Sequence, residues 1–285
     1  MKNIIVAGAT GYLGSYLVKA LQHRQIPFRA IARNEKKLLD IGLGEEHIIR
    51  AEVTQPETLR GRLDGAEALI STVGITRQKD GLTYMDVDYQ ANLNLLEEAQ
   101  RAGIRKFIYI SAINGARMRH LKIMAAKEKF VDTLKASGLD YIIVRPNGFF
   151  SDMKDFLGMA RQGKVYLFGD GNLKLNPIHG ADLAEAIVET MERSNVEMEI
   201  GGPDILTQNE IAGMALKACN KPVKIVHLPD WIRRATISLV RIFTSPKTYG
   251  PIEFFLTMMG QDNVAPQHGQ RHLATFFARE ADAGE

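Results

Sequence analysis

A chain of 285 residues with 45% hydrophobic and 24% charged residues has the composition of one large globular domain, or of a domain with an added lobe. Those proportions exclude a disordered, collagen-like or disulfide-dense design. Lys and Arg total 36 against 33 Asp and Glu, a formal charge of +3, and the basic residues are scattered rather than striped, which gives no case for nucleic acid.

The single cysteine, Cys219, excludes an internal disulfide and a multi-cysteine zinc site. No pair of histidines stands at metal spacing beside a carboxylate, so no metal is expected. Met1-Lys2 leads straight into a strand pattern without the features of a secretory leader. No apolar run approaches the ~18 residues of a membrane span, so no transmembrane segment and a cytoplasmic location are expected.

In chain order, short β-branched runs alternate with stretches of helical period. Strands are predicted at Asn3–Ala7, Phe28–Ala32, Ile48–Ala51, Ala68–Thr72, Lys106–Ile110 and Tyr141–Arg145. Each is near-continuously apolar, as a strand covered on both faces must be. Helices are predicted at Tyr12–His23, from Glu35, at Val87–Arg101 and at Leu121–Ala136, with Gly103 and Gly138 where helix ends favour glycine. The alternation implies a parallel sheet with helices on both sides. After Pro146 it breaks down into glycine-rich turns such as Phe168–Asn172 and a helix candidate at Ala181–Glu192. Trp231–Phe243 is basic and amphipathic. It reads as a helix packed on a lobe, with a membrane-surface helix as the alternative.

The first strand ends in Gly8-Ala9-Thr10-Gly11-Tyr12-Leu13-Gly14. Missing side chains at Gly8 and Gly11 permit a sharp turn and the approach of a pyrophosphate, and Gly14 permits close packing of helix on strand. The helix start supplies amide donors and the positive end of a dipole. Because the triplet follows a first strand and opens a helix, it predicts dinucleotide binding. The second strand ends in Ala32-Arg33-Asn34, with no carboxylate for a ribose 2'-hydroxyl and a guanidinium suited to a 2'-phosphate, so NADPH is expected over NADH. Glu52 and Val53 are expected near the adenine, and Thr72, Val73 and Gly74 along the cofactor.

These features resemble the short-chain dehydrogenase/reductase superfamily in its extended and atypical branches. The resemblance rests on Gly8-x-x-Gly11-x-x-Gly14, Asp88–Asn92, Phe107–Ala112, Arg145-Pro146-Asn147 and His179–Ala184, and it runs from Met1 to about Glu192. It implies cofactor contacts at Pro146 and Asn147, a catalytic Ser111, and a catalytic Lys127 that also touches the cofactor. The tyrosine expected four residues before that lysine is Ile123, which has no proton to give. Tyr84, Tyr109 and Tyr141 read as loop or strand residues.

The helical neighbours of Lys127 are Ile123, Met124, Phe130 and Val131, so its side chain is expected to enter the buried face and need partners there. Ribose hydroxyls are the partners the resemblance implies. Asn147, Phe149 and Phe150 are expected on the substrate side, where ligands of open α/β sheets bind. Met124, Met153, Met159, Met258 and Met259 are pocket or core residues. His179 reads as a capping or packing residue.

The expected architecture is a Rossmann-type doubly wound α/β fold. Residues 1–146, rejoined by about 176–200, form the dinucleotide-binding core, and residues 147–175 and 201–285 form a smaller substrate lobe. The expected activity is NADPH-dependent reduction of a small apolar or aromatic acceptor such as an enone or quinone, with a homodimer as a possible assembly. The rival reading is a dinucleotide-holding sensor or scaffold similar to NmrA, and a nucleotide-sugar epimerase or dehydratase is disfavoured by Ile123.

Overall fold

The computed structural model of the chain describes residues 3–75 and 81–283. In chain order the first part contains β1 (Ile4–Ala7), α1 (Tyr12–His23), β2 (Phe28–Ala32), α2 (Lys36–Asp40), β3 (Ile48–Arg50), α3 (Pro56–Leu59), β4 (Ala68–Ser71), α4 (Asn92–Arg101), β5 (Lys106–Ile110), α5 (Lys122–Lys135) and β6 (Asp140–Pro146). It continues with α6 (Lys154–Arg161), β7 (Val165–Phe168), β8 (Lys174–Leu175), α7 (Gly180–Thr190), β9 (Val196–Ile200), β10 (Leu206–Thr207), α8 (Gln208–Ala218) and β11 (Ile225–Leu228). Three helices close the chain: α9 (Asp230–Phe243), α10 (Pro246–Met258) and α11 (Leu273–Asp282).

The seven-stranded sheet has the order β3-β2-β1-β4-β5-β6-β9, and the six strands from β3 to β6 pair in parallel. Every residue of β1, β4 and β5 is buried, which is why these strands are nearly all apolar, Ser71 and Lys106 at two strand ends excepted. The order of strands reverses between β1 and β4, and the crevice at such a reversal is where doubly wound sheets bind ligands. Helices α4 and α5 end before Gly103 (φ +71°) and Gly138 (φ +82°), each in the left-handed conformation that glycine adopts without cost. The helix predicted from Val87 starts instead as a π-helical turn, Met85–Ala91, that runs into α4.

Chain contacts divide the protein into two units, residues 1–145 with 184–198, and residues 146–183 with 199–285. The sequence reading assigned 176–183 to the sheet core, but these residues are tied into the second unit. Asn176 donates to the carbonyls of Gly202 and Ala265, and Ile178 exchanges backbone bonds with Gly148 and Phe150. Asp182 accepts from the amides of Gln270 and Arg271. The core of the second unit gathers side chains of α6, α8 and α11, including Phe156, Leu157, Ile211, Leu216 and Phe277. Its strands pair β7 with β11 in parallel and β8 with β10 antiparallel. Among the described residues no helix is long and apolar enough to cross a membrane.

Within the first unit, α5 buries Glu128, whose carboxylate takes a fork of two bonds from Arg145 at 2.5 and 3.0 Å and one from the Ser111 hydroxyl at 3.0 Å. Arg145 also reaches Glu197 on β9. Removing one member of such a pair strands a buried charge. Glu128→Ala should therefore lower stability by about 3 kcal/mol in urea unfolding, while Glu128→Leu with Arg145→Met should recover most of the loss. Equal losses in the single and double variants would contradict this reading.

Candidate functional site

The turn after β1 is shaped by backbone approach. Gly8 has φ +79°, and a Cβ there would lie 2.5 Å from the Thr72 Oγ1 at the end of β4. The Thr72 hydroxyl donates towards the carbonyls of Ala7 and Gly8, both at 3.1 Å, binding the turn to the neighbouring strand. The Gly11 amide donates to the Gly8 carbonyl at 3.0 Å. A Cβ on Gly14 would strike the Gly8 carbonyl and come 2.7 Å from the Ala9 Cα, so the first turn of α1 lies directly on the loop.

The N-cap residue of α1, Gly11, is exposed and offers no side-chain cap, and a helix start of this kind favours an anion through its dipole. Tyr12 follows it, and Leu13 turns its side chain into the core. A side chain at Gly8 or Gly14 would strike the neighbouring chain and force this turn open.

Thr10 lines a depression with Ala9, Ser15, Lys37, Asp40 and Ile41. Lys37 was not singled out from the sequence, and only its place on α2 beside the turn reveals it. Arg33, at the end of β2, is 63% exposed, and its Nε lies 3.3 Å from a Glu52 carboxylate oxygen. The same carboxylate accepts from the Thr54 hydroxyl at 3.0 Å. Val53 packs at the edge of the core and its carbonyl accepts from the Asn94 amide group. Beyond β4, Asn92 ties the loop down by donating to the Val73 carbonyl at 3.2 Å, while the Ser71 hydroxyl donates to the Asn92 side chain at 2.5 Å.

Gly74 follows, and a Cβ there would lie 2.7 Å from an Asp88 carboxylate oxygen and 2.9 Å from the Lys127 Nζ. Lys127 does enter the buried face, with 12% of its side chain exposed, and its Nζ stands 2.9 Å from the Asp88 carboxylate, which is wholly buried. The partner that the sequence reading missed is thus Asp88, held on the π-helical turn. Its one signal was a carboxylate on the same helical face as Tyr84, Val87, Ala91 and Leu95, all of which are buried.

Tyr109 of β5 lies beside the pair, with its ring centroid 5.7 Å from the Lys127 Nζ and its hydroxyl 3.5 Å from the Asp88 carbonyl. A phenol therefore does stand next to Lys127, though it is fully buried. Burial works against the Lys127 ammonium, but the Asp88 carboxylate and Tyr109 outweigh it and hold its pKa above the ordinary lysine value. Burial pushes the Asp88 carboxyl up despite the opposing ammonium, and pushes the Tyr109 phenol up as well. Lys127 accordingly keeps its proton at neutral pH and acts as a fixed charge.

Several expected residues lie elsewhere. Ile123 is packed in the core, in keeping with its apolar chemistry. Ser111 is buried and gives its proton to Glu128 rather than to the Lys127 pair. Tyr84 starts the π-helical turn instead of sitting in a loop.

In the second unit, Pro146 is buried and Asn147 spends its side chain internally. Its amide group donates to Asn176 at 2.9 Å and to the Asn263 carbonyl, and its oxygen accepts from the Gly148 amide at 2.8 Å. Phe150 is a core residue, edge-on to His179 with centroids 5.4 Å apart, so Phe149 alone of the two keeps exposed surface. His179 accepts the Ala181 amide at the start of α7, and burial lowers its pKa, consistent with a neutral capping ring. Met124, Met153 and Met259 are buried.

The model of a family described as NAD(P)H-binding matches residues 8–194. A chloroplastic divinyl chlorophyllide a 8-vinyl-reductase from Oryza sativa subsp. indica is 28% identical over 315 residues, covering 97% of this chain and 78% of the plant protein. The photosystem II assembly factor Ycf39 of Synechocystis is 24% identical over 245 residues, covering 84% of this chain and 74% of the cyanobacterial one. An NADPH-dependent quinone oxidoreductase from Escherichia coli, solved with NADPH, has the same fold, with a TM-score of 0.72 at 17% identity over 98% of this chain and 99% of its own.

The Asp88–Lys127 pair has a consequence for stability. In Lys127→Met the carboxyl of Asp88 loses the charge that lowers its pKa, so its folded pKa rises further above the unfolded value. A group with a raised folded pKa adds stability below its unfolded pKa and loses it as pH climbs through the folded one. Urea unfolding at pH 5 and pH 8 should show the deficit of Lys127→Met against the wild type growing with pH, by about 1 to 3 kcal/mol. Adding Asp88→Asn should abolish that growth, and a deficit independent of pH would contradict the pairing.

Proposed function

The chain belongs to the NAD(P)H-binding family, and we propose that it is an NADPH-dependent reductase of an apolar conjugated acceptor, an enone, a quinone or a similar compound. The observation that carries this reading is the buried Asp88–Lys127 pair against Gly74, together with Ile123 on α5, where the resemblance implies a proton-donating tyrosine. In this reading the backbone of residues 8–14 holds the diphosphate, Gly74 gives the coenzyme room beside Lys127, and the bound coenzyme supplies hydride.

Lys127 has three donors, with Asp88 and Tyr109 as partners inside the protein, and it offers the remaining one to a ribose hydroxyl or to the acceptor oxygen. Because its pKa is held high, it steadies the negative charge that develops on that oxygen without surrendering its own proton. Such stabilisation suits a conjugated acceptor, whose charge builds on an oxygen remote from the carbon that is reduced. Ser111 is then a structural partner of Glu128.

For the choice of coenzyme, Arg33 and Lys37 are the cations offered to a 2'-phosphate. The Glu52 carboxylate competes for Arg33, so the preference for NADPH is moderate. The likeness to an assembly factor supports a second reading, a dinucleotide-holding subunit with no turnover.

Three measurements decide. The protein should oxidise NADPH with at least one quinone or enone in a broad panel, and NADPH binding without turnover would favour the second reading. Asp88→Asn with Lys127→Met, which leaves no stranded charge, should lower the rate at saturating acceptor about a hundredfold. An unchanged rate would remove the role given to Lys127. In fluorescence titrations, Arg33→Asp should weaken NADPH about tenfold and leave NADH unchanged, and equal weakening of both would exclude a 2'-phosphate contact.

A further inference from the structure

Helix α9 has fourteen residues and buries none of them, although it lies in a well-formed part of the second unit. It is held to α10 by polar links: Arg233 donates to the Leu256 carbonyl at 3.1 Å, and Arg241 pairs with the buried Glu253. Its outward face is apolar. Trp231, Leu239, Ile242 and Phe243 are 62%, 54%, 71% and 77% exposed. At about 100° per residue, these four and Ala235 fall in a sector of about 120°, a continuous stripe along the helix. Arg234 and Arg241 border one edge of that stripe. Exposed aromatic and branched side chains in such a row mark a surface that is covered in use.

Charge indicates what covers it. Residues 221–258 carry six cations, Lys221, Lys224, Arg233, Arg234, Arg241 and Lys247, against the two carboxylates of Asp230 and Glu253. The rest of the chain holds 30 basic and 31 acidic residues, so the protein's excess positive charge resides in this segment. A second copy would bring two such segments together and meet like-charge repulsion. An anionic bilayer meets both features, since an interfacial helix buries an apolar stripe at the level of the headgroups and keeps cations at its edge.

We propose that α9 docks the protein onto the surface of an anionic phospholipid bilayer, lying in its plane. The helix is too short to span, and among the described residues no other helix spans. The proposal is independent of the reductase reading, since it rests on α9 and the charge of the segment around it.

Trp231 is the only tryptophan of the chain, and it stands on the stripe, so its fluorescence reports the contact directly. The full chain should sediment with phosphatidylcholine vesicles containing roughly a third phosphatidylglycerol, with Trp231 emission moving to shorter wavelength. Both effects should be lost at about 0.5 M salt, and both should be far weaker on phosphatidylcholine alone. Leu239→Ser with Ile242→Ser, two surface changes checked by an unaltered urea midpoint, should weaken binding more than tenfold. Arg234→Ser should weaken it about fivefold.

Protein that stays in the supernatant with anionic vesicles while Trp231 emission is unchanged would overturn the proposal. So would equal binding to neutral vesicles. A dimer in sedimentation equilibrium that Leu239→Ser with Ile242→Ser dissolves would overturn it too, and would assign the stripe to a second copy.

Discussion

The close approach of backbone to backbone at the end of β1 governs the rest of the first unit. Strand order reverses between β1 and β4, and there Gly8 meets Thr72 so closely that position 8 has no room for a side chain. Gly14 closes the other wall by letting α1 rest on the Gly8 carbonyl. In the reading proposed here the site for a diphosphate is made of the backbone of this turn and the start of α1 rather than of side chains. In that reading the choice among nucleotides falls to the few side chains nearby, Arg33, Glu52 and Lys37.

The second constraint is electrostatic and sits on α5. Lys127 and Glu128 are neighbours in sequence, about 100° apart around the helix, and each is buried against its own opposite charge. Glu128 meets Arg145 and joins α5 to β6, whereas Lys127 meets Asp88 and joins α5 to the π-helical turn before α4. The first pair also takes in Ser111 and Glu197 and serves the fold. The other lies against Gly74, whose missing side chain leaves room for the Asp88 carboxylate and the Lys127 ammonium. Burial lowers the Lys127 pKa, but Asp88 and Tyr109 outweigh it and hold that pKa above the ordinary lysine value, and in the reading proposed here the charge stabilises an anion rather than exchanging a proton.

Much of this was legible in the chain. Near-continuous apolar runs marked the strands, the 8-11-14 glycine spacing marked the turn, and the apolar neighbours of Lys127 placed it inward, since all are properties of local period. What escaped were contacts made across the sequence. Asp88 and Tyr109 come to Lys127 only because β5 and the π-helical turn both lie against α5, and no spacing rule connects positions 88, 109 and 127. Ser111 and Asn147 carry the residue types expected of a catalytic site, yet their hydrogen bonds are consumed by Glu128 and by Asn176 and Asn263. Phe150 was indistinguishable from Phe149 as text, because adjacent positions past a strand end differ in burial only once the loop is placed. The unit boundary near 184 reflects Asp182 and its partners at 270 and 271, nearly ninety positions away.

The claim on which the account turns is that the backbone between Gly8 and Gly14 receives the diphosphate of NADPH. Amide proton and nitrogen chemical shifts of labelled protein, followed during addition of NADPH, read those groups one by one. The account predicts that the amides of Gly11, Tyr12 and Leu13 move most, together with that of Gly74. Saturable binding of NADPH that leaves those four resonances where they were would contradict it.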